Sequence, residues 1–273
     1  MEPMETTKVP EAPTESRPTR RRRYPVVNVL LFLATAASAV FAGAGLSGDV
    51  GSGSFGDVVV AGLPYGAAIL GILLAHEMGH YLQARAWGVD STLPYFIPMP
   101  FSFGTLGAVI RLRSKMPDRN AVLDIGAAGP IAGLVVALPL YVWGVIHSEV
   151  HAVPEMVATN TTSLWSILVA KLHGEALVWG GGPDGTMVFG DSLLTWGLEK
   201  LIIGTPPPGQ DVFVHPVALA AWLGLFITTL NLIPIGQLDG GHVTYALLGG
   251  ERAHRASRWL SWALFAAGVF VSL

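Results

Sequence analysis

The sequence contains no cysteine, so a disulfide framework, a thiolate metal site and a cysteine nucleophile are all excluded. Charge is scarce as well: 13% of the 273 residues are charged, against about 25% in soluble domains. The one run of four basic residues, Arg20 to Arg23, directly precedes an apolar segment, which suits lipid headgroups, and no other basic cluster suggests nucleic acid. What the chain has in quantity is apolar surface, 51% hydrophobic residues with a mean hydropathy of +0.52, the composition of a membrane protein.

A membrane helix needs about 20 predominantly apolar residues, and the windows 26 to 46, 58 to 84, 121 to 146 and 213 to 235 reach that length. The apolar stretch 259 to 273 is too short for a comfortable span, so it reads as a partial final helix: either a turn is missing or the sequence stops inside a helix. Residues 1 to 25, rich in Pro, Thr and Glu at their start, lack apolar periodicity and read as a disordered cytoplasmic tail. A cleaved signal peptide is the rival reading of the first window, and the long polar lead argues against it. Of the 16 Lys and Arg residues, all but Lys171 and Lys200 fall in segments 1 to 25, 85 to 120 and 236 to 258, which places those segments and the N-terminus in the cytoplasm. The outer loop, 147 to 212, carries "TSLWSILVAKLHGEALVWG" and "DSLLTWGLEKLIIG", both apolar at helical spacing but interrupted by charge, as in helices lying on a membrane surface. The fold class expected is an all-α polytopic membrane protein, a helical bundle with one small exception described below.

Within the second window, "HEMGH" places His76 and His80 at i, i+4, so both imidazoles leave the same helix face one turn apart and can share a metal ion. Glu77 beside them completes HExxH, in which the glutamate acts as base on a metal-activated water. With 8 His in the chain, chance produces this pattern about once in a hundred such sequences. The competing explanation, buried core histidines with an ion-paired glutamate, is expensive, because each ionisable group inside a span costs about 2.5 to 3.5 kcal/mol and no lysine is near. A catalytic zinc commonly takes three protein ligands. Asp239 in "NLIPIGQLDGGH" is the candidate third, since the topology puts it level with the histidines, and capping the helix that starts near His242 is its structural alternative. Asn231 could donate to a substrate carbonyl or an oxyanion, or simply tie helices together.

"HEMGH" in one span, "NLIPIGQLDG" in a later one and "GPIAG" between them resemble the site-2 protease family of intramembrane zinc metalloproteases, over roughly residues 58 to 250. The resemblance implies one Zn²⁺ per chain held by His76, His80 and Asp239, with Glu77 as base and Asn231 as the substrate-binding or oxyanion-assisting asparagine. It also implies a membrane-anchored regulatory protein as substrate, cut in or near its transmembrane segment. The outer loop lacks a PDZ-like succession of strands, so the layout is similar to the PDZ-lacking branch that includes plastid homologues.

"PYFIPMPFSFGTLGAVIRLRS", between the second and third spans, alternates Leu106, Ala108, Ile110 and Leu112 on one side and reads as a re-entrant or hairpin element. It either takes an extended substrate by strand addition or only plugs the site. Gly126, Gly129 and Gly133 read as helix packing, with Asp124 as an extra polar contact. His242 lines the site, whereas His147, His151, His173, His215 and His254 read as solvent-facing. A bacterial inner membrane is the expected location, with a plastid membrane as alternative. A transporter or channel with a buried metal and carboxylate site is the alternative function, because broken helices also line ion paths.

Overall fold

The computed structural model describes residues 25–46, 54–152, 190–207 and 209–272. Three helices dominate: α1 (Val26–Leu46), α2 (Phe55–Ala86) and α3 (Arg119–Ile146), each long and apolar enough to cross a membrane. The second and third start where the chain supplies side-chain partners for backbone N–H groups at the helix entrance. Asp57 accepts from the Ser54 N–H at 2.6 Å ahead of α2, and Asp118 accepts from the Ala121 N–H at 2.9 Å ahead of α3.

Many large apolar side chains on α1 to α3 point away from the bundle, while small and polar ones share its interior with Ile69, Ile72 and Leu73. Val29, Leu33, Val60, Leu63, Ile131 and Val135 are exposed, whereas Thr35, Ala39, Tyr65 and Ala137 are buried. Such an arrangement suits a lipid surround, where burying leucine gains nothing over lipid contact and close backbone approach holds helices together. α2 packs on both α1 and α3, and α3 in turn packs on α5 (Pro216–Asn231).

Between α2 and α3 the chain forms an antiparallel hairpin, β1 (Tyr95–Met99) with β2 (Gly104–Val109), in the register Tyr95 with Val109 and Met99 with Gly104. A second pair, β3 (Glu149–Ala152) with β4 (Gln210–Phe213), joins the end of α3 to the approach to α5. That pairing was not expected from the sequence: it zips the two ends of the outer loop together. Within the loop, "DSLLTWGLEKLIIG" does form a helix, α4 (Leu193–Ile202), while the stretch containing "TSLWSILVAKLHGEALVWG" lies outside the described residues.

Two boundaries differ from expectation. The fourth apolar window ends as helix at Asn231 rather than at 235, so α5 has 16 residues, about 24 Å, and falls short of a full span. Pro234 removes a donor that a continuing helix needs, and Gly236 turns the chain with φ +56°. After this break comes α6 (Asp239–Leu248), and then α7 (Gly250–Ser272) runs as one continuous helix, where only its second half was expected. Gly249, at φ +81°, separates the two.

Candidate metal centre

α2 carries His76 and His80 one turn apart, their ring centroids 5.0 Å from each other. The break after α5 brings the first residue of α6 back against them. This return is tight: a Cβ at Gly240 would lie 2.0 Å from the Leu232 carbonyl oxygen, so only glycine fits there. Asp239 makes no capping bond to its own helix, whose N-cap is Leu238. Its carboxylate is turned instead toward the histidines.

The three ligand-type atoms form a near-equilateral triangle. His76 Nε2 and His80 Nε2 are 3.2 Å apart, and Asp239 Oδ2 is 3.2 Å from each. Two donors bound tetrahedrally to zinc at about 2.0 to 2.1 Å stand roughly 3.3 Å from each other, so the donor set fits that ion in both chemistry and spacing. Among the described residues it is the one group of three such side chains close enough to hold a metal. His80 is oriented from behind, where its Nδ1 donates to the Ile125 carbonyl at 2.7 Å and leaves the Nε2 lone pair facing the triangle. The histidines and Glu77 are all buried, at 4%, 7% and 5% exposure, so a charge or metal placed here is largely shielded from bulk water.

α3 forms the back wall. A Cβ at Gly129 would lie 2.0 Å from His80 Nε2, and one at Gly133 would lie 3.2 Å from His76 Nδ1. These glycines, expected to serve helix packing alone, are therefore what leaves room for the imidazoles. Their spacing gave no way to tell the two uses apart, because a helix-packing stripe and a hollow for two rings repeat at the same interval. Gly126, on the same face, meets His242, which lies beside the triangle without joining it.

On the His76 side of the triangle is a cleft of about 110 Å³, lined by His76 and Glu77 from α2, Leu106 and Val109 from β2, and Thr228 and Asn231 from α5. The backbone of Ile110, just past β2, lies close to the Glu77 carboxylate. Asn231 thus opens on the same space as Glu77, although it stands apart from the metal-type group. Thr228, one turn before it, was not singled out from the sequence. Its hydroxyl donates to the Gly224 carbonyl at 2.9 Å, and an isolated threonine in an apolar helix carries no signal of a cleft.

The sequence profile of peptidase family M50 matches residues 65–273. The chain belongs to peptidase family M50. Its M50 region includes both histidines, Glu77, Asp239 and Asn231. Among curated proteins, it is 32% identical over 193 residues to the probable zinc metalloprotease EGY1, chloroplastic, of Arabidopsis thaliana, covering 70% of this chain and 30% of that protein. To the probable zinc metalloprotease EGY2, chloroplastic, of Oryza sativa subsp. indica it is 33% identical over 192 residues, with 70% and 30% covered. To EGY3, chloroplastic, of the same rice it is 29% identical over 224 residues, with 79% and 34% covered. The matched region is thus about a third of these relatives' length. No solved structure matches.

Two histidines expected to face solvent have local partners. His215 accepts from the Val217 N–H at 3.2 Å and so caps α5, and His147 stacks on Trp143 with ring centroids 4.1 Å apart. Asp124, expected as an extra polar contact, accepts from the Trp87 indole N–H at 3.0 Å. His173 lies outside the described residues.

Proposed function

We propose that this M50 chain is an intramembrane zinc metalloendopeptidase that hydrolyses a peptide bond in or near the transmembrane segment of a membrane-anchored regulatory protein. The observation that carries this reading is the 3.2 Å triangle of His76, His80 and Asp239, with His76 and buried Glu77 opening together on one cleft. These three residues hold one zinc per chain. Zinc bound there supplies Lewis acidity, which acidifies a water toward neutral pH and polarises a peptide carbonyl.

The protein's own groups do the rest. Glu77 takes the proton of the attacking water and later passes it to the leaving amine nitrogen. Burial favours that role, because a carboxylate shielded from bulk water exchanges its proton with the reacting atoms rather than with solvent. Asn231, facing the same cleft, donates to the substrate carbonyl as charge develops on its oxygen. The exposed side chains of β2 border the cleft, which supports an extended substrate segment pairing with that strand. Unwinding is needed because a helical peptide bond is hydrogen-bonded and shielded on every side.

The asymmetry of basic residues supports an integral membrane protein with the N-terminus and the metal centre toward the cytoplasm. A bacterial inner membrane is the setting proposed, with a plastid membrane as the alternative suggested by the chloroplastic relatives. The surrounding polytopic helical bundle, 58 to 250, serves as the catalytic core, and β1–β2 enters it as a re-entrant element.

The test is cleavage of a membrane-anchored substrate in vesicles by the purified full chain, alongside Glu77→Gln. The variant should lose about a thousandfold or more in turnover while keeping its zinc. Cleavage at the parental rate would contradict the mechanism. Metal flux across the vesicles that survives the same substitution would favour a transporter instead.

A further inference from the structure

The hairpin that borders the cleft is held from outside the M50 match, which begins at residue 65. α1 presents Asn28, Phe32, Thr35 and Ala39 at helical spacing along one face. Asn28, the sole amide of α1, donates from Nδ2 to the Leu93 carbonyl at 2.9 Å and to the Pro94 carbonyl at 2.8 Å. Both acceptors lie just ahead of β1, outside its ladder with β2. One turn further along α1, Phe32 meets Phe96 edge-on at 5.0 Å. Near the hairpin's tip, Gly104 sits against α1 so closely that a Cβ there would be 2.6 Å from Ala39 Cα. The tip is also held by α2, where the buried Tyr65 donates to the Phe103 carbonyl at 3.0 Å.

These contacts fix β1 on its α1 side. β2 is paired to β1, and the residue after β2 lies beside the Glu77 carboxylate. A displacement at the hairpin's root would therefore move the strand that borders the cleft relative to Glu77 and the metal ligands.

We propose that Asn28 is a positioning residue for substrate: its two hydrogen bonds hold the hairpin root so that the β2 edge stands at a fixed offset from the metal centre. The inference rests on the reading that substrate pairs with β2. Its consequence is that α1, outside the family match, sets how well an extended segment is placed, without touching the ligands or the base.

Because the chain has no cysteine, spin labels at Val109→Cys on the hairpin and Leu230→Cys on α5 are unique reporters of the hairpin's position. With Asn28 intact they should give one narrow distance distribution. Asn28→Leu, close in size but without donors, should at least double its width, and Asn28→Gln, which keeps the amide, should recover most of the parental width. In cleavage assays on unlabelled full chain, Asn28→Leu should raise KM about tenfold with kcat within twofold and zinc content unchanged. Tyr65→Phe, which removes one hydroxyl, should shift both readouts in the same direction and less, and it serves if Asn28→Leu does not fold. An unchanged distribution in these variants, or a broadened one with parental KM, overturns the role of Asn28. Parental cleavage by Leu106→Pro, which removes a strand N–H, contradicts the pairing reading itself, whatever the labels show.

Discussion

Two regions of this protein gather the same residue types and use them in opposite ways. At one end of the bundle His76, His80 and Asp239 converge with their donor atoms 3.2 Å apart, next to buried Glu77. At the other end His147, His151 and His215 lie among Glu149, Asp191 and Glu199, and nothing converges. His147 Nδ1 bonds the Trp143 carbonyl, His215 caps α5, His151 pairs with exposed Glu149, and Glu199 accepts from the Tyr141 hydroxyl. The groups in that second region are taken up by separate partners rather than aimed at one point. A metal centre differs by leaving several donors facing one point, with neighbours that orient them from behind.

Removing a member of the converging set should have the largest effect. Asp239→Ala should lower zinc from about one per chain to near none in dialysed protein and abolish cleavage, since a three-ligand site loses a third of its donors. Zinc retained at the parental level would show that the triangle is not the site. The next effect should come from the wall rather than the ligands. Gly129→Ala places a methyl where the His80 ring stands, and it should weaken zinc affinity by about 10- to 100-fold, the range seen when groups that orient ligands are disturbed. Competition with a chelator measures it, and parental affinity would mean that Gly129 serves packing alone.

At the opposite end the expected effect is smaller and lies in stability. Burial raises the carboxyl pKa of Glu199 above its ordinary value, against the lowering effect of the hydrogen bond from Tyr141. A folded-state pKa raised above the unfolded one means that the folded state holds the proton more tightly. Stability then falls as pH rises from the ordinary carboxylate value through the raised one. Glu199→Gln keeps an acceptor for Tyr141 and removes the titration, so its thermal midpoint in detergent should fall less over that interval than the parent's. Parallel profiles would show that Glu199 titrates alike in both states.

Legibility in the sequence followed the range of the interactions. The pairing of His76 with His80 is local, fixed by 3.6 residues per turn, and was readable from five letters. Asp239 was readable through topology, from the depth at which basic residues place both helix ends, and through the family pattern in "NLIPIGQLDG". The alternation through Leu106 and Ala108 gave the hairpin, because period 2 is also a local signal. Contacts that depend on which surfaces meet were not readable. β3 and β4 pair across more than fifty residues, and Gly129 makes room for His80 on a facing helix. The short reach of α5 came from Pro234 and Gly236 acting together, whereas apolar composition alone carried the window past them to 235. Asn28 reads as an ordinary polar residue near a span's end until the carbonyls it holds are seen.

The contrast between the two regions is tested most directly by metal analysis of two double variants of the full chain, purified and dialysed side by side. His76→Ala with His80→Ala should retain almost no zinc, while His147→Ala with His215→Ala should hold about one zinc per chain, as the parent does. Equal zinc in the two, or zinc lost only from the second, would contradict the assignment of the metal to α2 and the start of α6.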